Sequence, residues 1–314
     1  MKSGTVDISI IVPNYNHARF LKQRLDTVFG QSYTDTEIIL LDDCSTDESK
    51  DILQGYENHP KVSHVVINSK NTGFPVIQWQ KGIALAKGEW IWIAESDDFS
   101  DLRFLESMMQ YAQQNPTCGV VYCQSYDTDE SGSVLSTRLN YTGMFQPNIW
   151  SENFSVDGKE FIAKYLKRKN VIPNAGAVLF RRDLIDSNTF DDGIRELRMA
   201  ADWMFWIRLA ASTRIAFLAA PLNYFRSHGA TTRHHDSRQK ELKRLMEERC
   251  VRSELYDLMP EVDQTEEIEL LNRKVFAMHS PSYILRRDFW KFRVKGFSRI
   301  TFAKGFLRQH KLVK

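Results

Sequence analysis

Two hydrophobic periods alternate through the first 125 residues, and this alternation constrains the fold more than any other feature of the sequence. Ile8-Ser9-Ile10-Ile11-Val12 is a β-branched run that stops at Pro13-Asn14. Phe20, Leu21, Leu25 and Val28 then recur at helical spacing. Glu37 to Leu41 is a second apolar run, closed by Asp42-Asp43, after which Ser45-Thr46-Asp47-Glu48 reads as a helix start, Asp47 capping or supporting it. Val62–Ile67, Trp90–Ala94 and Gly119–Cys123 are further strands, with helices predicted over Gly73–Ala86 and Leu102–Tyr111. Short, continuously apolar strands between helices imply a buried, mostly parallel, Rossmann-like α/β open sheet with right-handed crossovers. Ligands of such sheets bind beyond the strands' carboxyl ends. Two acidic clusters sit at such ends, Asp42-Asp43 and Glu95-Ser96-Asp97-Asp98.

Residues 124–156 read as a polar, turn-rich excursion, followed by a helix over Asp157–Lys169, a strand over Ala175–Phe180 and a helix over Asp202–Ala211. Near residue 235 the pattern gives way to charged helix, so residues 1–235 are expected as one domain and 236–314 as a helical extension. The formal net charge is +2, which excludes nucleic acid as a partner of the chain as a whole. That figure hides an asymmetry: residues 286–314 hold ten Lys/Arg and one acid, net +9, and the rest is net −7. The basic end also carries Phe289, Trp290, Phe292, Phe297, Ile300, Phe302 and Phe306 at near-helical spacing. Bases with aromatic anchors predict contact with an anionic membrane surface; the opposing reading packs the aromatics on the body.

Cys44, Cys118, Cys123 and Cys250 form no CxxC pair, and the polar Met1–Asp7 runs straight into a strand. The expectation is reduced thiols in a cytoplasmic protein, peripheral on the inner face of the membrane if the tail binds it. No run of 18 apolar residues is present to span a bilayer.

Three carboxylates within Glu95–Asp98 repel one another unless a cation or solvent neutralises them, and hard oxygen ligands suit Mn²⁺ or Mg²⁺. Five segments occur in order: Val12-Pro13-Asn14-Tyr15-Asn16, Leu41 to Asp47, Asn71-Thr72-Gly73, Ala86 to Ile91, and Glu95 to Asp98. Together they resemble the nucleotide-sugar-binding half of family-2 glycosyltransferases, which have the GT-A fold. The resemblance is strong over residues 6–125 and weaker over 126–235, the acceptor half.

The resemblance implies a role for each matching position. Pro13 and Tyr15 lie beside the nucleotide base, and Asp42 accepts a hydrogen bond from its imide, which favours a UDP-sugar. Asn71, Glu95 and Asp97 belong to the donor-binding set. Asp97 and Asp98 hold the cation bridging the diphosphate, with His228 as a further metal ligand and Arg226 neutralising the leaving diphosphate. Asp202, in Ala200-Ala201-Asp202-Trp203, is the base that deprotonates the acceptor hydroxyl in an inverting displacement. Asn174-Ala175-Gly176-Ala177 gives sugar and acceptor close access to the backbone, and the stretch around His234-His235 is expected as a flap over the nucleotide. Two positions depart from the family pattern: Glu95 stands where Asp is commoner, and Trp79-Gln80 where many members carry Arg-Asn. The implied activity is transfer of a sugar to a saccharide or lipid-linked saccharide in bacterial surface polysaccharide assembly. A nucleotidyltransferase would need a glycine-rich basic loop after the first strand, which Pro13-Asn14-Tyr15-Asn16 does not supply. A non-catalytic nucleotide-sugar-binding module would have no use for Asp97-Asp98 together with Asp202.

Overall fold

The computed structural model describes residues 6–229 and 237–312. The position of the expected boundary at 235 and the expected flap at His234-His235 lie outside the described residues. In chain order the strands are β1 Ile8–Asn14, β2 Thr36–Asp42, β3 Val62–Ile67, β4 Trp90–Ile93, β5 Phe99–Ser100, β6 Cys118–Thr128, β7 Val134–Thr137, β8 Phe154–Asp157, β9 Val178–Arg181 and β10 Arg214–Arg226. The helices are α1 Ala18–Phe29, α2 Ser49–Gln54, α3 Pro75–Leu85, α4 Phe104–Gln114, α5 Gly158–Phe161, α6 Asp192–Arg195, α7 Ala201–Ala210, α8 Arg238–Leu258, α9 Thr265–Ala277 and α10 Arg299–Gln309.

All ten strands join one sheet, in the order β3-β2-β1-β4-β9-β6-β10-β5, with β7 beside β6 and β8 beside β10. β3, β2, β1 and β4 run parallel, and β9 runs antiparallel between β4 and β6. Helices cover both faces, so successive strand residues face different cores. Ile10 and Val12 pack towards α1 and α4, whereas Ile11 packs towards α3 and α7. This is why the predicted strands read as unbroken apolar runs. The chain winds outward from β1 through β2 to β3, then crosses back to place β4 on the other side of β1. The carboxyl ends of β1 and β4 therefore flank a topological switch point, where a crevice opens.

β10, at 13 residues the longest strand, is not evident from apolar patterning. It contains Pro221, and its register against β6 shifts on both sides of that proline, a bulge that a residue without an N–H requires.

Most of the aromatic residues of the C-terminal segment pack inward, as in the opposing reading, and Trp290 does not. α8, α9, α10 and two 3-10 turns enclose a core in which Phe289, Phe302 and Phe306 are at most 1% exposed. Phe292 is also buried. Apolar surface has less free energy against apolar surface than in water, and here the segment supplies its own partner. Leu285, Trp290, Ile300 and Leu312 remain outside. The other end of α8 adds Val251, Leu255 and Met259 to the core beneath α7. No helix among the described residues is long and apolar enough to cross a membrane.

Candidate active site

A cleft of 390 Å³ opens at the switch point. Pro13, Tyr15, Asp43 and Asn71 line one end, Glu95 to Asp98 the floor, and Asn174, Ala175, Met199 and Asp202 the other end. The loops after β1 and β2 lock together. Asn16 and Cys44 adopt left-handed backbone, φ 55° and 64°, and Asn16 Oδ1 accepts from Thr46 N at 2.7 Å. Tyr15 is left 44% exposed at the mouth, available for stacking.

Of the two acids after β2, the structure turns Asp42 inward. Its Oδ1 accepts from Ser45 N, its Oδ2 from Asn14 Nδ2 and Ser45 Oγ, and it is fully buried. Asn14 lines the cleft and Asp42 sits behind it, outside the lining. Asp43 lines the cleft instead and ties together Asn68, Thr72 and Gln78. Asn71 donates to the Asp43 carbonyl at 3.0 Å.

The acidic floor is assembled around a buried cation. Arg24 lies on the apolar stripe of α1, fully buried, and its Nε donates to the Glu95 carbonyl at 2.8 Å. Burial brings its guanidinium down to about 10, opposed by the charges of Asp98, Asp97 and Glu95. An arginine interrupting the stripe Phe20-Leu21-Leu25-Val28 was the sequence signal for this role.

The three carboxyls titrate apart. Burial, then the charge of Asp97, pushes Glu95 up to about 8, although Trp79 Nε1 donates to its Oε1 at 2.8 Å. The two departures from the family pattern, Glu95 and Trp79, are thus bonded to each other. Burial and the charge of Asp97 push Asp98 up to about 6, against the pull of Arg24. Both Asp98 oxygens are engaged, Oδ1 by Arg226 N at 2.8 Å and Oδ2 by Asn174 Nδ2 at 2.7 Å. Burial would also raise Asp97, but the hydrogen bond from His228 and the charges of His17 and His228 outweigh it, and its carboxyl falls below the ordinary value.

Asp97, His17 and His228 have ligand atoms within 4.8 Å of one another. His228 Nε2 is 3.1 Å from Asp97 Oδ2, and its ring stands 5.6 Å from that of His17, nearly perpendicular. Buried His228 Nδ1 has no partner among the described residues. His17 Nδ1 contacts Ser96 Oγ at 2.9 Å, leaving Nε2 as the ligating atom, and burial lowers the His17 pKa and so favours neutral imidazole. Two imidazoles and a carboxylate fit a divalent transition cation. Within the expected metal set, Asp97 and His228 come together with His17 beside them, while both oxygens of Asp98 are bonded to Arg226 N and Asn174. His17 had no sequence signal beyond following the Tyr15-Asn16 turn.

Arg226 is buried and held inside the protein. Nε donates to the Asp97 carbonyl, Nη1 to the Glu130 carbonyl and Nη2 to Gln23 Oε1, and Phe20 and Phe99 flank the guanidinium. It shapes the Asp97–Asp98 turn and does not line the cleft.

Asp202 lies in the first turn of α7, whose N-cap is Ala200. Its Oδ1 accepts from Trp203 N at 2.8 Å and its Oδ2 from Asn170 Nδ2 at 2.9 Å, and it lines the same cleft as Tyr15. The cleft therefore combines an acidic, cation-competent floor with a separate carboxylate from the first turn of α7.

The chain was compared with known proteins. The Glycosyl transferase family 2 model matches residues 9–188. Glycosyltransferase GlyG of Streptococcus pneumoniae is 35% identical over 127 residues, 40% of this chain and 40% of that protein. The match therefore spans well under half of that relative. The structure of Staphylococcus aureus TarS residues 1–349 with UDP-GlcNAc superposes at a TM-score of 0.64 and 18% identity, covering 98% of this chain and 84% of that one. The mannosyltransferase PcManGT of Pyrobaculum calidifontis, solved with GDP-Man and Mn²⁺, superposes at 0.54 and 15% identity, covering 98% and 76%. The expected GT-A fold is the fold observed. With the family model extending over more than half of its length, the chain is a member of glycosyl transferase family 2.

Proposed function

We propose that this protein is an inverting, metal-assisted glycosyltransferase. It moves a sugar from a nucleoside diphosphate donor of the UDP type to a saccharide or lipid-linked saccharide, in bacterial surface polysaccharide assembly. One observation carries this reading: a single cleft is lined by the acidic floor beside His17 and by Asp202 from α7, in the second half of the chain. TarS, which shares the fold, was solved with UDP-GlcNAc.

We assign the nucleobase to the end formed by Pro13, Tyr15 and Asn71, with Asp43 in place of Asp42 as the neighbouring acid. Mn²⁺ or Mg²⁺ would be held by His17, Asp97 and His228, and the two imidazoles favour Mn²⁺ over the harder Mg²⁺. When bound, the cation supplies Lewis-acid neutralisation of the diphosphate. Glu95 and Asp98 frame the floor, and Arg226 holds their turn. Asp202 takes the proton from the acceptor hydroxyl. That oxygen attacks the anomeric carbon, the bond to the diphosphate oxygen breaks, and its electron pair leaves with the diphosphate. Attack opposite to departure inverts the centre. The basic extension fits an anionic bilayer by charge, which would keep the enzyme peripheral on the cytoplasmic face.

Calorimetric titration of the full chain with UDP, GDP and UDP-GlcNAc, with and without Mn²⁺, tests the reading. Metal-dependent binding is expected; if none of them binds, the transferase assignment fails. Asp202→Asn is expected to keep UDP affinity and to lower turnover by about 10²- to 10⁴-fold, the range for a lost general base. Unchanged turnover would remove Asp202 as the base.

A further inference from the structure

A buried carboxylate in the C-terminal extension grips the backbone that leads into Asp202. Glu247, on α8 and only 4% exposed, accepts three successive backbone N–H groups on Oε2: Arg198 at 3.1 Å, Met199 at 2.6 Å and Ala200 at 3.0 Å. Three consecutive amides converging on one oxygen form an anion nest, with a side chain of the same protein as its anion. The grip falls where α7 needs it. That helix starts at Ala201, and its N-cap Ala200 has no side chain able to cap. Glu247 brings an acceptor and a negative charge to that end from a different element.

We propose that Glu247 is a positioning residue for Asp202 and for the acceptor wall of the cleft. Asp202 lies two residues past the last gripped amide, so the depth at which α7 begins sets the reach of its carboxylate. Arg198 and Met199, gripped directly, line the same cleft, as does Arg244, which precedes Glu247 by three residues on α8. One helix of the extension thus supplies part of the cleft wall and the clamp behind it. The clamp and its target both lie beyond residue 188, where the family model ends. The catalytic consequence rests on Asp202 acting as the base.

The test compares Glu247→Gln, Glu247→Asp and Glu247→Ala in the full chain. Gln keeps the length and one acceptor oxygen; Asp keeps the charge but draws it back by a methylene. Amide hydrogen exchange at residues 198–200 is expected to stay near wild type in Gln and to rise in Asp and Ala. Metal-dependent hydrolysis of UDP-GlcNAc should show kcat lowered at least about tenfold in Asp and Ala, the scale of a misplaced catalytic group. KM and UDP affinity should be retained, and Gln should restore most of the rate. Unchanged exchange in Asp and Ala overturns the proposal. So does a parallel loss of UDP affinity, which marks general damage, or an Asp variant that outperforms Gln, which makes charge and not reach the determinant. If the wild type binds no nucleoside diphosphate, the transferase reading fails by itself, and exchange alone decides whether Glu247 holds this turn.

Discussion

Glu95 keeps its proton near neutrality because burial penalises the carboxylate and Asp97 adds a like charge two residues away. A carboxyl raised in the folded state binds its proton more tightly there than in the unfolded chain. Its contribution is therefore complete below the ordinary value of 4.5 and is lost as pH rises towards about 8. Gln at this position removes the titration and keeps an acceptor for Trp79. Glu95→Gln is expected to match or fall below wild type in thermal stability at about pH 4 and to exceed it at about pH 9, with the gain growing between. Metal-free melting curves across that range check it, and a pH-independent difference between the proteins would contradict it. Which neighbouring residue reaches the cleft depends on such local geometry. The sequence places Asp42-Asp43 at a strand end, but the direction of each side chain depends on how the chain turns there, and only the structure selects Asp43. Asp97 and Asp202 are legible as acids at element ends. His17 is not, because its neighbours in space, Asp97 and His228, lie 80 and 211 positions along the chain.

Elements with strong periodicity were the legible ones. β1 to β4 and their helices follow from apolar runs and turn residues, since burial on both faces leaves a continuous hydrophobic signature. β10 escaped because Pro221 interrupts it and because its pairing with β6 is non-local. The C-terminal segment shows the converse ambiguity. Aromatics at helical spacing beside bases suit a lipid surface and a protein core equally, and only the packing distinguishes them. Phe306, fully buried, lies 5.2 Å from Phe276 and 5.0 Å from Phe289, ring centre to ring centre. Phe306→Ala is therefore expected to cost about 3–5 kcal/mol in urea unfolding, as for other buried phenylalanines. Unchanged stability, with a loss of lipid binding instead, would return this ring to the surface.

Across the whole molecule, charge and apolar surface have separated within the extension. Most of the aromatics close its core, while Arg286, Arg287, Lys291, Lys295, Arg299, Lys304, Arg308 and Lys311 are exposed, Lys291 paired with Asp288 and Lys295 with Asp257. The proposed attraction to an anionic bilayer would then rest on electrostatics, with Leu285, Trp290 and Ile300 as the only large apolar side chains exposed among described residues 285–300. Each base near an anionic surface contributes about 1 kcal/mol, and the attraction fades beyond a Debye length of about 8 Å at physiological salt. Such binding is lost readily on adding salt, unlike the insertion of buried rings. Cosedimentation of the full chain with phosphatidylserine-containing vesicles is expected at low ionic strength and not with neutral vesicles. Raising salt to about 0.5 M should release it. Exchanging Arg286, Arg287, Arg299 and Lys304 for glutamate should abolish the binding and leave UDP affinity intact, because none of the four lines the cleft. Binding that survives salt, or equal binding to neutral lipid, would put the exposed apolar residues in control. No binding at low salt would remove the bilayer as the partner of the basic face.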